Sequence, residues 1–378
     1  MRLAWCILFL LGSTLPAQSE PTCNLLTINV DITALNIQLP SNISGLTLDI
    51  LTALPKVQIQ GTYQIAARYC EPEVKNSSRT NTLQLLVHGV TYTKDYWSGL
   101  GPPGQGYDGD KYSYVAYASK QGYPTLAIDR ICNGNSSHPN GLTVIQLPAN
   151  TEALYQVILQ LQPSPTAGGR RFNKVIPVCH SEGATVCELL MQVHPDAPVA
   201  TYVIHGFTNQ FLVGGAASVA AVVFLPASIA APTRFPGLDP TYLLTTSASG
   251  SQGVFYYGDY DKQVAAYDFA NTNPVPAGEL ATSALSQLPA PLYKGSLLLL
   301  NGQNDQIFCA VLPTDPLIGG LGNCGTGATS TTARTQVLFP AAKFYYNQVA
   351  NTGHDLDLHR TAAQTFKISH DYLASQGF

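Results

Sequence analysis

Five short runs, almost entirely apolar, limit what this chain can fold into more than any other feature. They are Thr82–Val87 (TLQLLV), Pro124–Ile128 (PTLAI), Lys174–Val178 (KVIPV), Ala200–Ile204 (ATYVI) and Ser296–Leu300 (SLLLL). Each is too short for a helix and lacks polar alternation, so each reads as a strand buried on both faces. Between them lie helix-compatible segments such as Thr151–Leu161 and Thr185–Gln192. Short apolar strands alternating with helices specify a mostly parallel sheet covered by helices on both sides. Residues 24–80 alternate between polar and apolar, which predicts antiparallel strands leading into that sheet. The alternation breaks from Phe211 to Leu292, a stretch rich in Tyr, Ala, Gly and Pro with no clear strand. This stretch reads as a helical cap (211–292) inserted between two parts of one core, 20–210 and 293–378. The last stretch, Leu358–Gly377, reads as a closing helix.

Composition narrows the setting. Only 11% of the 378 residues are charged, the formal net charge is −4, and no basic run occurs. A nucleic-acid partner is therefore not expected, because such binding is mainly phosphate neutralisation. Arg2, the apolar run Leu3–Gly12 and the small-x-small triplet Ala17-Gln18-Ser19 form the pattern of a cleaved signal peptide over 1–19. That run is too short to span a bilayer. The longer apolar stretch Phe211–Ala231 is interrupted by Gly214, Gly215, Ser218, Pro226 and Ser228, and reads as a buried helix pair. A secreted protein without stable membrane insertion is the expectation. Of eight cysteines, Cys6 leaves with the leader, and an odd seven remain. Cys23–Cys70 is expected to tie the amino-terminal arm to an early strand, and Cys309–Cys324 to close a loop. Cys132, Cys179 and Cys187 are left as free buried thiols. Asn42, Asn76 and Asn135 open N-x-S sequons; glycans are expected at Asn42 and Asn76, and not at Asn135, which lies close to the candidate site.

In open parallel sheets, functional groups gather beyond the carboxyl ends of the strands. Those ends carry His88-Gly89-Val90, Asp129-Arg130, Cys179-His180-Ser181-Glu182-Gly183, Asn304-Asp305 and, after YNQVA, Gly353-His354. Ser, Asp and His thus arrive in the order Ser181, Asp305, His354. A serine in a strand-to-helix turn is usually just a helix cap; the other strand ends give this one its interest. The segment HDLDLH (354–359) has metal-ligand residue types, but H-x4-H does not put both imidazoles on one helix face as H-x3-H does. No metal or cofactor is expected, and His359 reads as opening the last helix. His88 reads as a loop-ordering hydrogen-bond donor and Asp129 as a cap of its own turn. His138, His194, His205 and His370 read as structural or surface residues.

The segments LLVHGVTYTKDYW, LAIDRICNGNSSHP, CHSEGA, LLLNGQNDQIFC and VANTGHDLDLH together resemble a secreted α/β-hydrolase of the kind common in fungi. The resemblance runs from about residue 80 to the end. It implies the α/β-hydrolase fold with a cap, Ser181 as nucleophile on a strand-to-helix elbow, His354 as base and Asp305 as the acid that orients it. The segment HGFTNQ offers Asn209 and no carboxylate, which favours Asp305 as the acid. Backbone N–H groups of Val90 and Glu182 would form the oxyanion hole, with His88-Gly89 shaping the first donor's loop. Three departures stand out: Cys179 replaces the elbow's first glycine, Cys132 stands where the family has glycine, and Pro177 interrupts the nucleophile strand.

The expected activity is extracellular ester hydrolysis through an acyl-enzyme. Cap tyrosines Tyr242, Tyr256, Tyr257 and Tyr260, with Phe255, would line a pocket for a small hydrophobic ester or lactone. The same residues leave open a peptidase or amidase. They also leave open acyl transfer, carbon–carbon cleavage or cyclisation on this fold, and a binding module without catalysis. The sequence gives no substrate identity and no oligomeric state.

Overall fold

The computed structural model describes residues 21–162, 169–211, 220–309 and 322–378. The expected signal peptide, and residues 212–219 of the expected cap, lie outside the described residues. The chain opens with a long antiparallel hairpin, β1 (Cys23–Ile37) and β2 (Lys56–Cys70). From Ile28 onward every second residue of β1 is buried, the period of a strand with one face on a core. Five further strands continue the sheet: β3 (Thr82–Val87), β4 (Thr125–Ile128), β5 (Lys174–His180), β6 (Tyr202–His205) and, after the cap region, β10 (Ser296–Gly302). The last strand is β11 (Lys343–Val349), and the spatial order is β1-β2-β4-β3-β5-β6-β10-β11. All pairings from β4 to β11 are parallel; β1 with β2 and β2 with β4 are antiparallel. Every residue of β3, β4 and β6 is buried, as their uninterrupted apolar runs require.

Helix α1 (Leu48–Ala53) sits in the hairpin turn, and α2 (Tyr114–Lys120) precedes β4. Helix α3 (Leu147–Leu161) begins four residues before the expected start, with Pro148 in its first turn, where a missing N–H costs nothing. Helix α4 (Glu182–Val193) follows β5 directly. Helices α3 and α4 pack on each other, while α2 packs against the closing helix at Ala362–Ser375. Pro177 is accommodated because β3 pairs with β5 from Lys174 to Cys179, whereas the ladder to β6 begins only at Val178.

The region between β6 and β10 departs from expectation. It holds a small antiparallel sheet of β7 (Phe224–Pro226), β8 (Tyr242–Thr245) and β9 (Val275–Pro276), besides helices at Ala248–Phe255 and Lys262–Asn271. Strands of two to four residues, two of them ending in proline, fall below what a periodic pattern can register.

Three disulfides join Cys23 to Cys70, Cys179 to Cys187, and Cys309 to Cys324. The second corrects the expectation of free thiols at Cys179 and Cys187. The chain turns from β5 into α4 between them and brings their Cα atoms to 6.7 Å. Cys132 is the one free cysteine among the described residues, and it is buried. No described helix is long and apolar enough to cross a membrane.

The Cys23–Cys70 bridge closes a loop of 47 residues at the open end of the hairpin. Replacing both cysteines with serine is expected to lower unfolding free energy by up to about 4 kcal/mol, the loop-entropy value for that separation. Chemical denaturation checks this, and an unchanged midpoint would show that the sheet alone holds the hairpin.

Candidate active site

Ser181 stands at the junction of β5 and α4 with φ 55° and ψ −118°, a left-handed conformation that residues with a Cβ rarely adopt. Two contacts stabilise it. The Ser181 N–H donates to the His205 carbonyl at 3.0 Å, and the Ser181 carbonyl accepts from Ala184 and Thr185 in the first turn of α4. Gly183 makes the turn possible, because a Cβ there would collide with the carbonyl oxygens of Val87 and His88. Gly89 is equally confined: a Cβ on it would come within 2.7 Å of the Ser181 Cβ.

His354 follows β11, on a loop packed over the end of β10. Its Nε2 lies 2.7 Å from Ser181 Oγ and its Nδ1 lies 2.7 Å from Asp305 Oδ2. With the proton on Nδ1, the imidazole donates to Asp305 and accepts from the Ser181 hydroxyl. The other oxygen of Asp305 accepts from the N–H groups of Ile307 and Phe308, both at 2.8 Å. Asp305 is fully buried, so these donors and His354 are what keep its charge compensated. The Cys309–Cys324 bridge anchors this loop, with Cys309 N–H donating to the Asp305 carbonyl at 3.2 Å. The structure thus brings together the three residues singled out by chain order. Asn209, beyond the end of β6, instead bonds to Thr335: its N–H donates to Thr335 Oγ1, whose hydroxyl donates to Asn209 Oδ1.

Val90 and Glu182 border the same cavity as Ser181, and neither N–H meets a protein acceptor among the described residues. The cavity is about 50 Å³ and its walls are apolar, mainly Phe211, Val222, Phe224, Val254, Phe255 and Phe308. The expected tyrosines do not line it, which corrects that assignment. Tyr242 is buried in the small sheet with its hydroxyl on the Pro139 carbonyl at 2.6 Å. Tyr256 donates to Asp268 at 2.8 Å, Tyr260 accepts from Gln252 at 2.6 Å, and Tyr257 is largely exposed. Of the aromatic residues expected to line it, Phe255 alone reaches the cavity. A tyrosine whose hydroxyl finds a partner in the core has no reason to face a substrate.

The histidine assignments can be placed residue by residue. His88 Nδ1 donates to the Gly89 carbonyl at 2.8 Å, and its Nε2 accepts from Arg130 N–H at 3.2 Å, which orders the loop. Burial and the nearby Arg130 guanidinium hold His88 well below the usual histidine range, consistent with that neutral tautomer. His359 precedes the closing helix, which starts later than expected. Its Nδ1 donates to the Asp355 carbonyl and its Nε2 accepts from the N–H groups of Gly353 and Tyr257. Burial lowers its pKa to about 4. Asp129 accepts from Asn135 N–H in its own turn and also pairs with Lys94 Nζ at 2.8 Å. His205 and His370 are buried among Ser369 and Gln84; His194 pairs with Glu152, and His138 packs on Tyr242. Asn42 is exposed and Asn76 half-buried, with Asn76 Oδ1 holding Ser78.

A polar network missed from sequence lies behind the site. Tyr92 Oη lies 2.9 Å from Asp268 Oδ2 and 2.6 Å from Asp355 Oδ2. One hydroxyl proton cannot serve both, so a carboxyl proton must complete the set. Burial pushes both acids above the usual carboxylate range. A single group of three potential ligands is found among the described residues, His180, His354 and Asp355, with ligand atoms within 4.8 Å of one another. Both ring nitrogens of His354 are taken by Ser181 and Asp305, which leaves no lone pair for an ion.

The sequence profile of the Alpha/beta hydrolase family matches residues 84–366. The chain belongs to this family. Among solved structures, it is similar to a bromoperoxidase from Bacillus anthracis, at 15% identity and a TM-score of 0.50 over 91% of this chain and 99% of that one. It is also similar to a soluble variant of monoglyceride lipase from Saccharomyces cerevisiae, at 12% identity and a TM-score of 0.52 over 83% and 92% of the two chains. At such identities the likeness concerns the fold of this α/β-hydrolase alone. No curated protein matches its sequence.

Two expectations follow from the geometry. Gly183→Ala forces a Cβ into the Val87 carbonyl, so it should cost a few kcal/mol and displace the elbow. Thermal unfolding measures this, and an unchanged Tm would mean that the turn has slack. His359, with a folded pKa of about 4 against 6.5 in the unfolded chain, contributes stability that is full above 6.5 and lost as pH falls towards 4. The acid side of the stability curve should therefore flatten in His359→Gln; denaturant midpoints between pH 4 and 7 provide the check.

Proposed function

We propose that this α/β-hydrolase is a secreted serine esterase that works through an acyl-enzyme. The observation that carries the reading is the chain of two 2.7 Å contacts from Asp305 through His354 to Ser181, at the floor of an apolar cavity. A serine hydroxyl is too weakly acidic to attack a carbonyl unaided. Here His354 Nε2 takes the proton as Ser181 Oγ attacks the ester carbon. Asp305 stabilises the imidazolium and holds its tautomer. The N–H groups of Val90 and Glu182 receive the oxyanion, with Glu182 at the start of α4, where the helix dipole adds to the attraction. His354 then returns the proton to the leaving alkoxide, and water repeats the sequence to free the acid.

The cavity argues for the substrate class. At about 50 Å³ with phenylalanine and valine walls, it suits a short apolar acyl group and offers no charge to a peptide or polysaccharide. Secretion rests on the leader pattern at the amino terminus, and three disulfides in one chain fit an oxidising compartment.

A fluorophosphonate probe should label the purified protein, and Ser181→Ala should abolish labelling along with turnover of short-chain p-nitrophenyl esters. Asp305→Asn should still fold, with kcat lower by about 10⁴. Undiminished turnover in Ser181→Ala would overturn the reading.

A further inference from the structure

The oxyanion loop is held from behind by one buried side chain. Arg130, at the carboxyl end of β4, is 3% exposed. Its Nε donates to the His88 carbonyl at 3.0 Å and its Nη2 to the Gly89 carbonyl at 3.2 Å. Its Nη1 pairs with Oε1 of Glu279, a fully buried residue from the region between β6 and β10. Glu279 Oε1 also accepts from Asn150 Nδ2 on α3 at 2.7 Å.

The Gly89 carbonyl and the Val90 N–H belong to one peptide unit. That unit is planar and trans, so its C=O and N–H point in opposite directions. Whatever fixes the Gly89 oxygen therefore fixes the aim of the Val90 N–H. Two donors fix that oxygen, Arg130 Nη2 and His88 Nδ1. Val90, on the other side of the peptide, borders the cavity over Ser181. Glu182, whose N–H is the second donor, reaches the same cluster through its side chain. Ser283 Oγ lies 2.6 Å from Glu182 Oε1 and 2.8 Å from the Glu279 carbonyl.

We propose that Arg130, anchored by Glu279, is a positioning residue that presets the oxyanion hole by clamping the His88 and Gly89 carbonyls. The clamp deepens the esterase reading and rests on it. A guanidinium is suited to the task because its rigid planar fork spreads donors over two carbonyls and a carboxylate in fixed directions, where an ammonium is a single point charge on a flexible stem. Glu279 gives the clamp its direction: by holding Nη1 it leaves Nε and Nη2 facing the loop. It also makes the oxyanion loop depend on the region between β6 and β10, which carries Glu279.

Removing Arg130 alone would strand the Glu279 carboxylate in the interior, so the test removes both charges. Arg130→Met/Glu279→Gln leaves no buried unpaired charge and keeps an acceptor for Asn150; such replacements are often neutral to folding. On a p-nitrophenyl ester, kcat should fall about 100-fold with KM within threefold, the loss typical of one oxyanion donor. Affinity for an alkyl trifluoromethyl ketone, which forms a tetrahedral adduct, should fall in step with kcat/KM. Arg130→Lys should be intermediate. Amide exchange over residues 88–91 should quicken in the double variant, and this reading needs no activity. A folded double variant with kcat within threefold of wild type, or with unchanged exchange over 88–91, would overturn the clamp. Wild type that takes no fluorophosphonate label would instead reject the esterase reading, and the exchange experiment would still decide whether Arg130 holds the loop.

Discussion

The approach of α4 to the carboxyl end of β3 sets the geometry of the whole site. Gly183 lies against the Val87 and His88 carbonyls, and no residue with a Cβ fits there. That contact forces the chain to turn sharply after β5, and Ser181 absorbs the turn in a left-handed conformation. The strain is confined to one residue because its N–H is already claimed by β6 and its carbonyl by α4. The hydroxyl is left projecting beyond the sheet, within reach of an imidazole that arrives from a strand three places away. Without the glycine the serine would lie in an ordinary helix start, and His354 would have nothing to meet.

Charge is scarce in this chain, yet much of it is buried near the elbow. Asp129 with Lys94, Arg130 with Glu279, Asp305 with His354, and Asp268 with Asp355 around Tyr92 are all shielded from water. Burying ions costs several kcal/mol each unless partners repay it. These pairs are therefore weak arguments for stability and better ones for geometry. Each joins segments far apart in sequence: the oxyanion loop to β4, β4 to the segment before β10, and the cap helix at Lys262–Asn271 to the loop carrying His354. An acid with one well-placed partner tolerates few positions, whereas an apolar contact tolerates many.

The fold was legible because its central strands are nearly uninterrupted apolar runs, and such runs have few alternatives. The approximate place of the site was legible for a related reason: a parallel sheet gathers its functional groups beyond the carboxyl ends of its strands, where Ser181, Asp305 and His354 were expected, and the family resemblance supplied their roles. The cap was not. Its strands are two to four residues long, and its tyrosines carry hydroxyls that could serve either a substrate or the core. Tyr242 and Tyr256 settle on Pro139 and Asp268, and the cavity wall falls to Val222, Phe224, Val254 and Phe255. Nor does sequence reveal that Arg130 and Glu279 meet, since 149 residues separate them and neither stands in a recurrent spacing with the other.

The two cysteines that replace family glycines illustrate why a substitution must be weighed by its backbone. Cys179 lies within β5, in extended conformation, so a glycine there answers a need for space and not for a special dihedral angle. Its sulfur is turned into α4 and bonded to Cys187, so the bulk added beside the elbow has become a brace across it. Cys132 is the opposite case. With φ at 87°, it occupies a backbone region that favours glycine. The turn survives because its neighbours fix it: Cys132 N–H donates to the Ser137 carbonyl, and Ser136 Oγ donates to the Asp129 carbonyl. Asp129 in turn is locked by Lys94. A strained residue next to Arg130 is tolerable only in a turn this heavily bonded, and the same bonding holds the guanidinium in place behind the oxyanion loop.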